Sequence, residues 1–355
     1  MKIAQIAPLA ESCPPKLYGG TERIVSYLTE ELVRLGHEVT LFASGDSVSA
    51  SRLIPCAKTA LRLDPKVRDM TPHYIIMLDE VYSRLDEFDV LHFHIDHLHY
   101  PLMRAFSDRM VTTLHGRLDL PDLVPFYQHF SELPLVSISD SQRKPMPPVN
   151  WVSTVYHGLP VDDLPFTRTP DAGYLAFLGR ISPEKGPDRA IEIAARSGRQ
   201  LKIAAKIDAA DERYWGDVIA PMVAAHPNVE FIGEIDEHQK AQFLGNACAL
   251  LFPIDWPEPF GLVMIEAMAC GTPVIAFDKG SVSEVIDDGL TGFIVNSVRG
   301  AVAALDHVER LERVRIRRQF EKRFTVGRMA QDYLDVYRRL PRMRRPEPRL
   351  ALVSA

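Results

Sequence analysis

Short apolar runs alternate with segments of helical periodicity along nearly the whole chain, and this alternation limits the possible folds more than any other feature. The runs are almost continuously apolar, which is typical of strands buried on both faces of a parallel sheet. Between the first two runs, residues 21–36 carry apolar side chains on one helical face and end at Gly36. We expect strands over 2–8, 37–43, 89–95, 110–116, 134–139, 153–158, 174–180, 200–207, 229–235, 248–254, 273–277 and 292–295.

A stretch with three prolines and no apolar periodicity, residues 157–173, divides this pattern into two halves of similar size. The sequence therefore predicts an α/β protein with two Rossmann-like domains, over 1–160 and 161–325, that face each other across a cleft. Ligands of such folds bind beyond the carboxyl ends of the strands, which here border the cleft. A tail with net positive charge, residues 341–355, is predicted to be disordered and could make a weak contact with a membrane surface.

The composition argues against several classes of protein. A net charge of −6 over 355 residues argues against a role in coating nucleic acid. The four cysteines have no CxxC spacing, so we expect reduced thiols and a cytoplasmic protein without a signal peptide or a membrane-spanning segment. No GxGxxG follows a strand, which argues against a dinucleotide oxidoreductase.

The stretch GLVMIEAMAC (261–270) contains one charged residue, Glu266, in an apolar run that is predicted to be helical. The backbone N–H groups over 261–263 would point from the helix start into the cleft. Together with the helix dipole, they would form an anion site suited to phosphate. Gly261 has no side chain, so the backbone can approach a ligand closely there.

Two carboxylates flank this expected phosphate site, with Glu258 before the helix and Glu266 one turn along it. Carboxylates accept paired hydrogen bonds from vicinal hydroxyls. A ligand that consists of a hydroxylated ring, a diphosphate and a second hydroxylated ring, which is a nucleotide sugar, would satisfy all three positions. The alternative is that Glu266 neutralises a nearby Arg or Lys and that Glu258 is a solvated loop charge. The cost of an unpaired buried carboxylate favours the ligand.

The segment EPFGLVMIEA (258–267) resembles the E-x7-E motif of retaining GT-B glycosyltransferases of the group 1 or family 4 type. This family is typified by bacterial sucrose and glycogen synthases and by bacterial lipid mannosyltransferases, and the resemblance covers roughly residues 1–340. It implies that Glu258 contacts the donor sugar and that Glu266 contacts the ribose. It also implies an acceptor-side first domain, a nucleotide-sugar-binding second domain, and a terminal helix over 326–340 that packs back on the first domain.

Several cations and glycines have the positions that such a site needs. Arg180 ends a predicted strand, and Lys185 precedes a Gly-Pro helix start, so both could stabilise a diphosphate leaving group without a metal. The alternative is that they are surface charges beside a turn. Gly19 and Gly20 precede the first long helix and allow close approach to a charged group or a sugar, or they only make the loop flexible.

Histidines at strand ends suggest the remaining contacts. The resemblance implies that His115 contacts the transferred sugar, although a histidine at a strand end is more often structural. The run HFHIDHLHY (92–100) looks like a metal site, but its spacing does not define zinc geometry, so we expect no metal. Asp96 and His97 are instead expected on the acceptor side. By resemblance, the nucleotide base lies against residues 232–235.

We therefore expect a retaining hexosyltransferase that uses a nucleotide-diphospho-sugar, with UDP-glucose as the representative donor, and requires no cofactor. The acceptor is not identified by the sequence. The alternatives are a nucleotide-sugar 2-epimerase on the same architecture and a non-catalytic nucleotide-sugar-binding protein. A pyridoxal-phosphate phosphorylase is disfavoured by the chain length. The expected catalytic residues are Glu258, Arg180, Lys185 and His115, and the expected donor-binding residues are Gly19, Gly20, Gly179, Ile232, Gly233, Glu234, Phe260, Gly261, Leu262, Val263 and Glu266.

Overall fold

Two parallel sheets, each covered by helices, make up the computed structural model, which describes residues 1–16 and 19–340. The tail over 341–355, for which the sequence predicts disorder, lies outside the described residues. The predicted α/β class with two Rossmann-like domains is confirmed. None of the helices within the described ranges combines the length and the apolar character that crossing a membrane requires.

The first sheet belongs to the N-terminal half of the chain. Its strands are β1 (Lys2–Ile6), β2 (Glu38–Ser44), β3 (Arg52–Ala57), β4 (Val90–Phe93), β5 (Met110–Thr113), β6 (Leu135–Ser137) and β7 (Trp151–Thr154). They lie in the order β3-β2-β1-β4-β5-β6-β7, and all neighbours are parallel. Ile3 of β1 lies between Val39 of β2 and Val90 of β4, so the strand order reverses beside β1.

The helices of this half are α1 (Gly20–Arg34), α2 (Thr71–Ser83), α3 (Tyr100–Met103), α4 (Leu123–His129) and α5 (Asp140–Arg143), with 3-10 turns over Leu61–Leu63, Leu85–Glu87 and Arg104–Phe106. Helix α1 buries Ile24, Leu28 and Leu32 against the sheet because these residues recur at helical spacing. It ends before Gly36, whose φ of 83° continues the chain in the left-handed region.

The second sheet repeats the same arrangement. Its strands are β8 (Tyr174–Arg180), β9 (Leu201–Lys206), β10 (Val229–Gly233), β11 (Ala247–Phe252), β12 (Val274–Phe277) and β13 (Gly292–Val295). They are parallel in the order β10-β9-β8-β11-β12-β13, so the order reverses between β8 and β11.

The helices of the second half are α6 (Pro187–Ser197), α7 (Glu212–Tyr214), α8 (Ala220–Ala225), α9 (Glu237–Gly245), α10 (Leu262–Ala269), α11 (Val282–Val285), α12 (Val298–Leu305), α13 (Arg313–Arg323) and α14 (Val326–Arg339). A π-helical turn over Trp215–Ile219 joins α7 to α8, and 3-10 turns lie over Ala209–Asp211 and Val308–Arg310. Helix α9 begins with a capping box, in which Asp236 and Gln239 each bond the other's backbone N–H.

Each of the twelve predicted strands overlaps a strand of the structure, but the prediction missed β3. This strand contains Pro55, which has no N–H for a ladder and is therefore usually confined to edge strands. β3 does form the edge of its sheet, where one side needs no ladder bonds. Strand β7 lies two to four residues earlier than the predicted 153–158.

The chain passes between the two domains twice, and the two crossing segments are bonded to each other. Leu159 donates its N–H to Phe324 O at 2.9 Å, and Val326 donates to Leu159 O at 2.9 Å. A Cβ on Gly158 would lie 2.2 Å from Thr325 O, so only glycine allows this approach. Beyond the crossing, α14 packs on the first domain and buries Met329 in an apolar cluster that reaches both sheets.

Arg313 of α13 holds the end of the second domain together through bonds to backbone and side chain. Its guanidinium donates to Thr167 O at 2.8 Å, Ala247 O at 2.9 Å, Gly245 O at 2.7 Å and Thr272 Oγ1 at 2.7 Å. These acceptors belong to segments that are distant in sequence, so one side chain links several segments of the chain.

We expect Arg313→Met to lower the free energy of unfolding by about 3 kcal/mol, because it leaves several acceptors without their charged donor. Arg315→Met is the matched control, since Arg315 is exposed and pairs only at the surface with Glu312 at 3.1 Å. This control should change the free energy by less than about 0.5 kcal/mol. Urea unfolding followed by circular dichroism measures both, and equal losses would contradict the role given to Arg313.

Candidate functional site

A cavity of about 560 Å³ lies between the domains, at the carboxyl ends of both sheets. Residues that follow β1, β5 and β6 line it from the first domain, and residues at the ends of β8, β9, β10 and β11 line it from the second. The predicted positions that line it are Gly19, Gly20, His115, Gly179, Arg180, Lys185, Glu234, Glu258, Phe260, Gly261, Leu262, Val263 and Glu266.

Two helix N-termini from different domains face this cavity. Helix α10 begins after Gly261, whose φ is 79°, and α1 begins after Gly19. As glycines, these two cap residues have no side chain to cover the first N–H groups of their helices. A Cβ on Gly20 would lie 3.6 Å from Leu262 Cδ1, so the two helix starts are close. Their dipoles give this part of the cavity a positive potential that favours an anion.

Glu258 is buried beside this positive region and has two donors. Its Oε2 pairs with Lys185 Nζ and accepts the Trp256 Nε1–H at 2.9 Å. Lys185 Nζ also lies 4.9 Å from the centroid of the Trp256 ring. Because only 8% of Glu258 is exposed, the alternative of a solvated loop charge is wrong.

Glu266 is buried in α10 and takes part in an ion network that crosses the cleft. Its Oε1 accepts from Lys240 Nζ at 2.8 Å, and Lys240 also pairs with Glu237 at 2.6 Å. Glu237 in turn pairs with Arg23 of α1 at 3.0 Å. Burial lowers the pKa of Lys240, but the two carboxylates outweigh it and raise that pKa above its usual value. The alternative that Glu266 neutralises a nearby lysine thus describes a contact that is present.

Arg180 ends β8 and lies among carboxylates. Its guanidinium is 2.8 Å from Glu184, 3.5 Å from Asp208 and 3.6 Å from Asp211. Lys206, which also lines the cavity, pairs with Asp208 at 2.9 Å. These acids offset much of the positive charge, so an anion that enters the cavity competes with them for both cations.

His115 reaches the cavity from the first domain. Its Nε2 lies 2.9 Å from His94 Nδ1, and its ring stacks on His157 with centroids 5.3 Å apart. Burial lowers the pKa of His115 to about 3, so the ring is neutral at pH 7. His115 Nδ1 is enclosed and has no hydrogen-bond partner among the described residues. Such an unpaired buried polar atom costs about 1–3 kcal/mol unless a ligand satisfies it.

Two other histidines of the 92–100 run have partners in the first domain and in α14. His92 contacts Tyr337 and Thr113, and His99 contacts Thr112, each at 2.8 Å. Within residues 1–16 and 19–340, no group of three His, Cys, Asp or Glu side chains is arranged to hold a metal ion.

Four predicted positions do not line the cavity that the described residues form. Asp96 has a φ of 54° and is exposed, while His97 packs against Phe126 with ring centroids 4.7 Å apart. Ile232 and Gly233 end β10, and the cavity wall begins just beyond them, at Glu234.

The structure adds residues to the site that the sequence argument did not identify. Trp256 is two residues before Glu258, so the hydrogen bond from its indole N–H to that carboxylate is a local contact that the sequence could have indicated. His157, which also lines the cavity, lies where the predicted strand 153–158 overlaps the proline-containing stretch 157–173, and neither feature indicates a ligand contact. The contacts of Lys240, Glu237 and Arg23 with each other and with Glu266 link three helices that are far apart in sequence, and they left no local signal.

Comparison with known proteins shows two family matches, one in each domain. The family described as "Glycosyltransferase Family 4" matches residues 18–144, and the family described as "Glycosyl transferases group 1" matches residues 166–324. Together the two matches cover most of the chain and both walls of the cavity.

Full-length relatives and solved structures agree with these matches. The glycogen synthase of Mycobacterium tuberculosis is 26% identical over 96% of this chain and 96% of its own. The sucrose-phosphate synthase structure from Thermosynechococcus elongatus has a TM-score of 0.80 at 19% identity and covers 96% of this chain and 99% of its own. Anabaena HepE, solved with UDP and glucose, has a TM-score of 0.72 at 16% identity, with 96% and 100% coverage.

Gly280 fixes the loop that carries Glu258. A Cβ at Gly280 would lie 2.3 Å from both the N and the O of Glu258. We expect Gly280→Ala to lower the free energy of unfolding by about 2 kcal/mol more than Gly289→Ala, because backbone must move to admit the methyl group.

Gly289 is the matched control, since its φ of 73° is similarly strained for alanine but nothing lies within 4 Å of its Cβ. Urea unfolding measures the difference between the two variants. Equal losses would show that strain at positive φ, and not displacement of the Glu258 loop, is the cause.

Proposed function

This chain belongs to the glycosyltransferases of group 1 and family 4 and has their GT-B fold, and from this premise we propose that it transfers a hexose from a UDP-linked donor to an acceptor with retention of configuration. The observation that carries the proposal is the pair of buried carboxylates, Glu258 and Glu266, on the two sides of the α10 N-terminus. A nucleotide sugar has an anionic centre between two hydroxylated rings, which matches this order of charge.

In the proposed complex, the diphosphate lies at the α10 N-terminus, the hexose near Glu258 and the ribose near Glu266. Carboxylates favour vicinal hydroxyls, and the helix amides favour phosphate oxygens. Glu266 can still accept from a ribose hydroxyl while Lys240 holds its Oε1, since a carboxylate offers about four lone-pair sites. The base is expected beyond β10, beside Glu234 and Ile235, which line the cavity.

The cations need a change of partner when the donor binds. Lys185 pairs with Glu258, and Arg180 with Glu184, at the wall of the same cavity. A diphosphate carries more negative charge than one carboxylate, and it therefore competes with these carboxylates for both cations. Once turned toward the diphosphate, the two cations would stabilise the charge that develops as the leaving group departs, without a metal ion.

The proposed chemistry breaks the bond between the anomeric carbon and the diphosphate oxygen and forms a bond from that carbon to the acceptor oxygen on the same face. The acceptor's proton passes to the departing diphosphate. In this proposal Glu258 binds hydroxyls of the hexose, so no carboxylate of the cavity is assigned as a covalent nucleophile. Same-face attack is therefore favoured over a covalent intermediate. Closure of the domains would exclude water from the reacting centre.

UDP and glucose are the proposed donor components because HepE, a structure with the same fold, was solved with both. A role in the cytoplasm fits a nucleotide-sugar donor and thiols that are free within the described residues. The acceptor side is expected to be formed by the first domain, where Arg62 and Glu22 line the cavity.

A thermal-shift screen over UDP-, GDP- and ADP-sugars tests the donor. We expect UDP-glucose to raise the melting temperature most, since a ligand at a hundred times its dissociation constant stabilises the folded state by ~2.7 kcal/mol. Free glucose is the control and should give no shift. A larger shift with GDP- or ADP-sugars would refute the choice of UDP, and no shift with any of them would refute the donor site.

We expect Lys185→Ala to lower kcat for UDP release from UDP-glucose about a hundredfold, because the leaving group loses a fixed cation. Lys279→Ala is the matched control, since Lys279 is half-exposed, pairs with Asp255 at 3.1 Å and is not among the described residues that line the cavity. An unchanged kcat would remove Lys185 from the mechanism.

Product analysis after incubation with UDP-GlcNAc alone would reveal an epimerase, since a transferase needs an acceptor.

A further inference from the structure

A continuous series of hydrogen bonds connects helix α14 to the cavity. We call it the tyrosine–histidine chain, and its members are Tyr337 of α14, Gln5 of β1, His94 and His115. Gln5 Nε2 is 3.1 Å from Tyr337 Oη, Gln5 Oε1 is 2.8 Å from His94 Nε2, and His94 Nδ1 is 2.9 Å from His115 Nε2. Tyr337, Gln5 and His94 are buried, and His115 lines the cavity.

Each imidazole in this region carries one proton at neutral pH. Burial lowers the pKa of His94 and of His92 well below the usual value and lowers that of His115 to about 3. A neutral imidazole has one N–H donor and one acceptor nitrogen, so each bond that a ring makes fixes the role of its other nitrogen.

The amide of Gln5 determines which atom donates and which accepts in each hydrogen bond of the series. Its Nε2 can only donate, and it faces Tyr337, so its Oε1 faces His94 and must accept. His94 therefore carries its proton on Nε2, and its Nδ1 is an acceptor. The proton between His94 and His115 then belongs to His115 Nε2, and His115 Nδ1 holds a lone pair.

A branch on the helix side is compatible with the same direction. Tyr337 accepts from Gln5 and can donate to His92 Nδ1 at 2.8 Å, and His92 Nε2 can then donate to Thr113 Oγ1 at 2.8 Å. Thr113 Oγ1 lies 3.0 Å from Tyr333 Oη, so a second tyrosine of α14 ends the branch. Every bond of the branch has one donor and one acceptor in this arrangement.

We propose that His94, oriented through Gln5 by Tyr337 of the terminal helix, is a positioning residue that fixes His115 in the tautomer with its proton on Nε2. The catalytic consequence of this inference rests on the proposed function, because it requires that His115 contacts a hydroxyl of the transferred sugar. In this tautomer His115 Nδ1 would accept a hydrogen bond from a sugar hydroxyl, and it has no protein partner among the described residues. Helix α14 would thereby determine the chemistry of a residue in the cavity.

Long-range ¹H–¹⁵N spectra of the full chain, with ¹⁵N-labelled histidine, read the tautomers without any substrate. We expect His115, His94 and His92 to carry their protons on Nε2 at pH 7. A proton on His115 Nδ1, or a doubly protonated ring, would overturn the proposal.

In Tyr337→Phe the amide of Gln5 loses the acceptor that orients it, so we expect His115 to populate both tautomers. An unchanged spectrum would overturn the role of α14.

A matched pair of variants at His94 tests the catalytic consequence. His94→Asn keeps an acceptor oxygen where Nδ1 lies, whereas His94→Leu removes it, and both lose the bond to Gln5. We expect kcat for UDP release from UDP-glucose to fall about tenfold in His94→Leu, with KM changed less than about threefold, and to fall only about threefold in His94→Asn, whose amide oxygen can still accept from His115. Equal losses in the two variants would overturn positioning by His94.

The histidine spectra test the tautomer of His115, and the His94 variants test its effect on UDP release. Failure of the inference can therefore be distinguished from failure of the proposed function. If the unaltered protein released no UDP from any UDP-sugar, the proposed function and the sugar contact of His115 would fail. The histidine spectra would still decide whether the tyrosine–histidine chain sets the tautomer.

Discussion

Two helix N-termini that point into one cavity from opposite domains are the constraint on which the rest of this structure depends. Each parallel sheet sends its loops and its helix starts to its carboxyl edge, and the two edges face each other. The helix starts of α1 and α10 therefore combine into one positive region to which each domain contributes one helix. The buried carboxylates Glu258 and Glu266 flank this region and restrict the ligands that fit it.

The charges of the cavity are paired before any donor is present. Lys185 pairs with Glu258, and Lys240 links Glu266 to a network that reaches Arg23 on the opposite domain. Buried ions require such partners, because an isolated charge in this environment is costly. Donor binding then becomes an exchange of partners, in which phosphate and hydroxyl groups replace or share the existing contacts.

Much of the fold could be predicted from the sequence because strands buried on both faces have a strong signal. The prediction missed β3 since Pro55 is compatible with only an edge position, and an edge cannot be recognised before the strand order is known. Within the site, the glycines before α1 and α10 were recognisable from their position at helix starts. Arg180 was recognised as a cation of the site, but its pairing with Glu184, Asp208 and Asp211 was not predicted.

The sequence by itself determined the alternation of strands and helices, the division into two domains of the same class, and the spacing of Glu258 and Glu266 about a helix start. These are local properties, since periodicity and helix geometry act over a few residues. Only the tertiary structure decided which charges meet and which nitrogen of His115 has no partner among the described residues. The bonds of Lys240 to Glu266 and of Gln5 to Tyr337 join residues 26 and 332 positions apart, and such contacts arise only when the packed sheets and α14 bring them together.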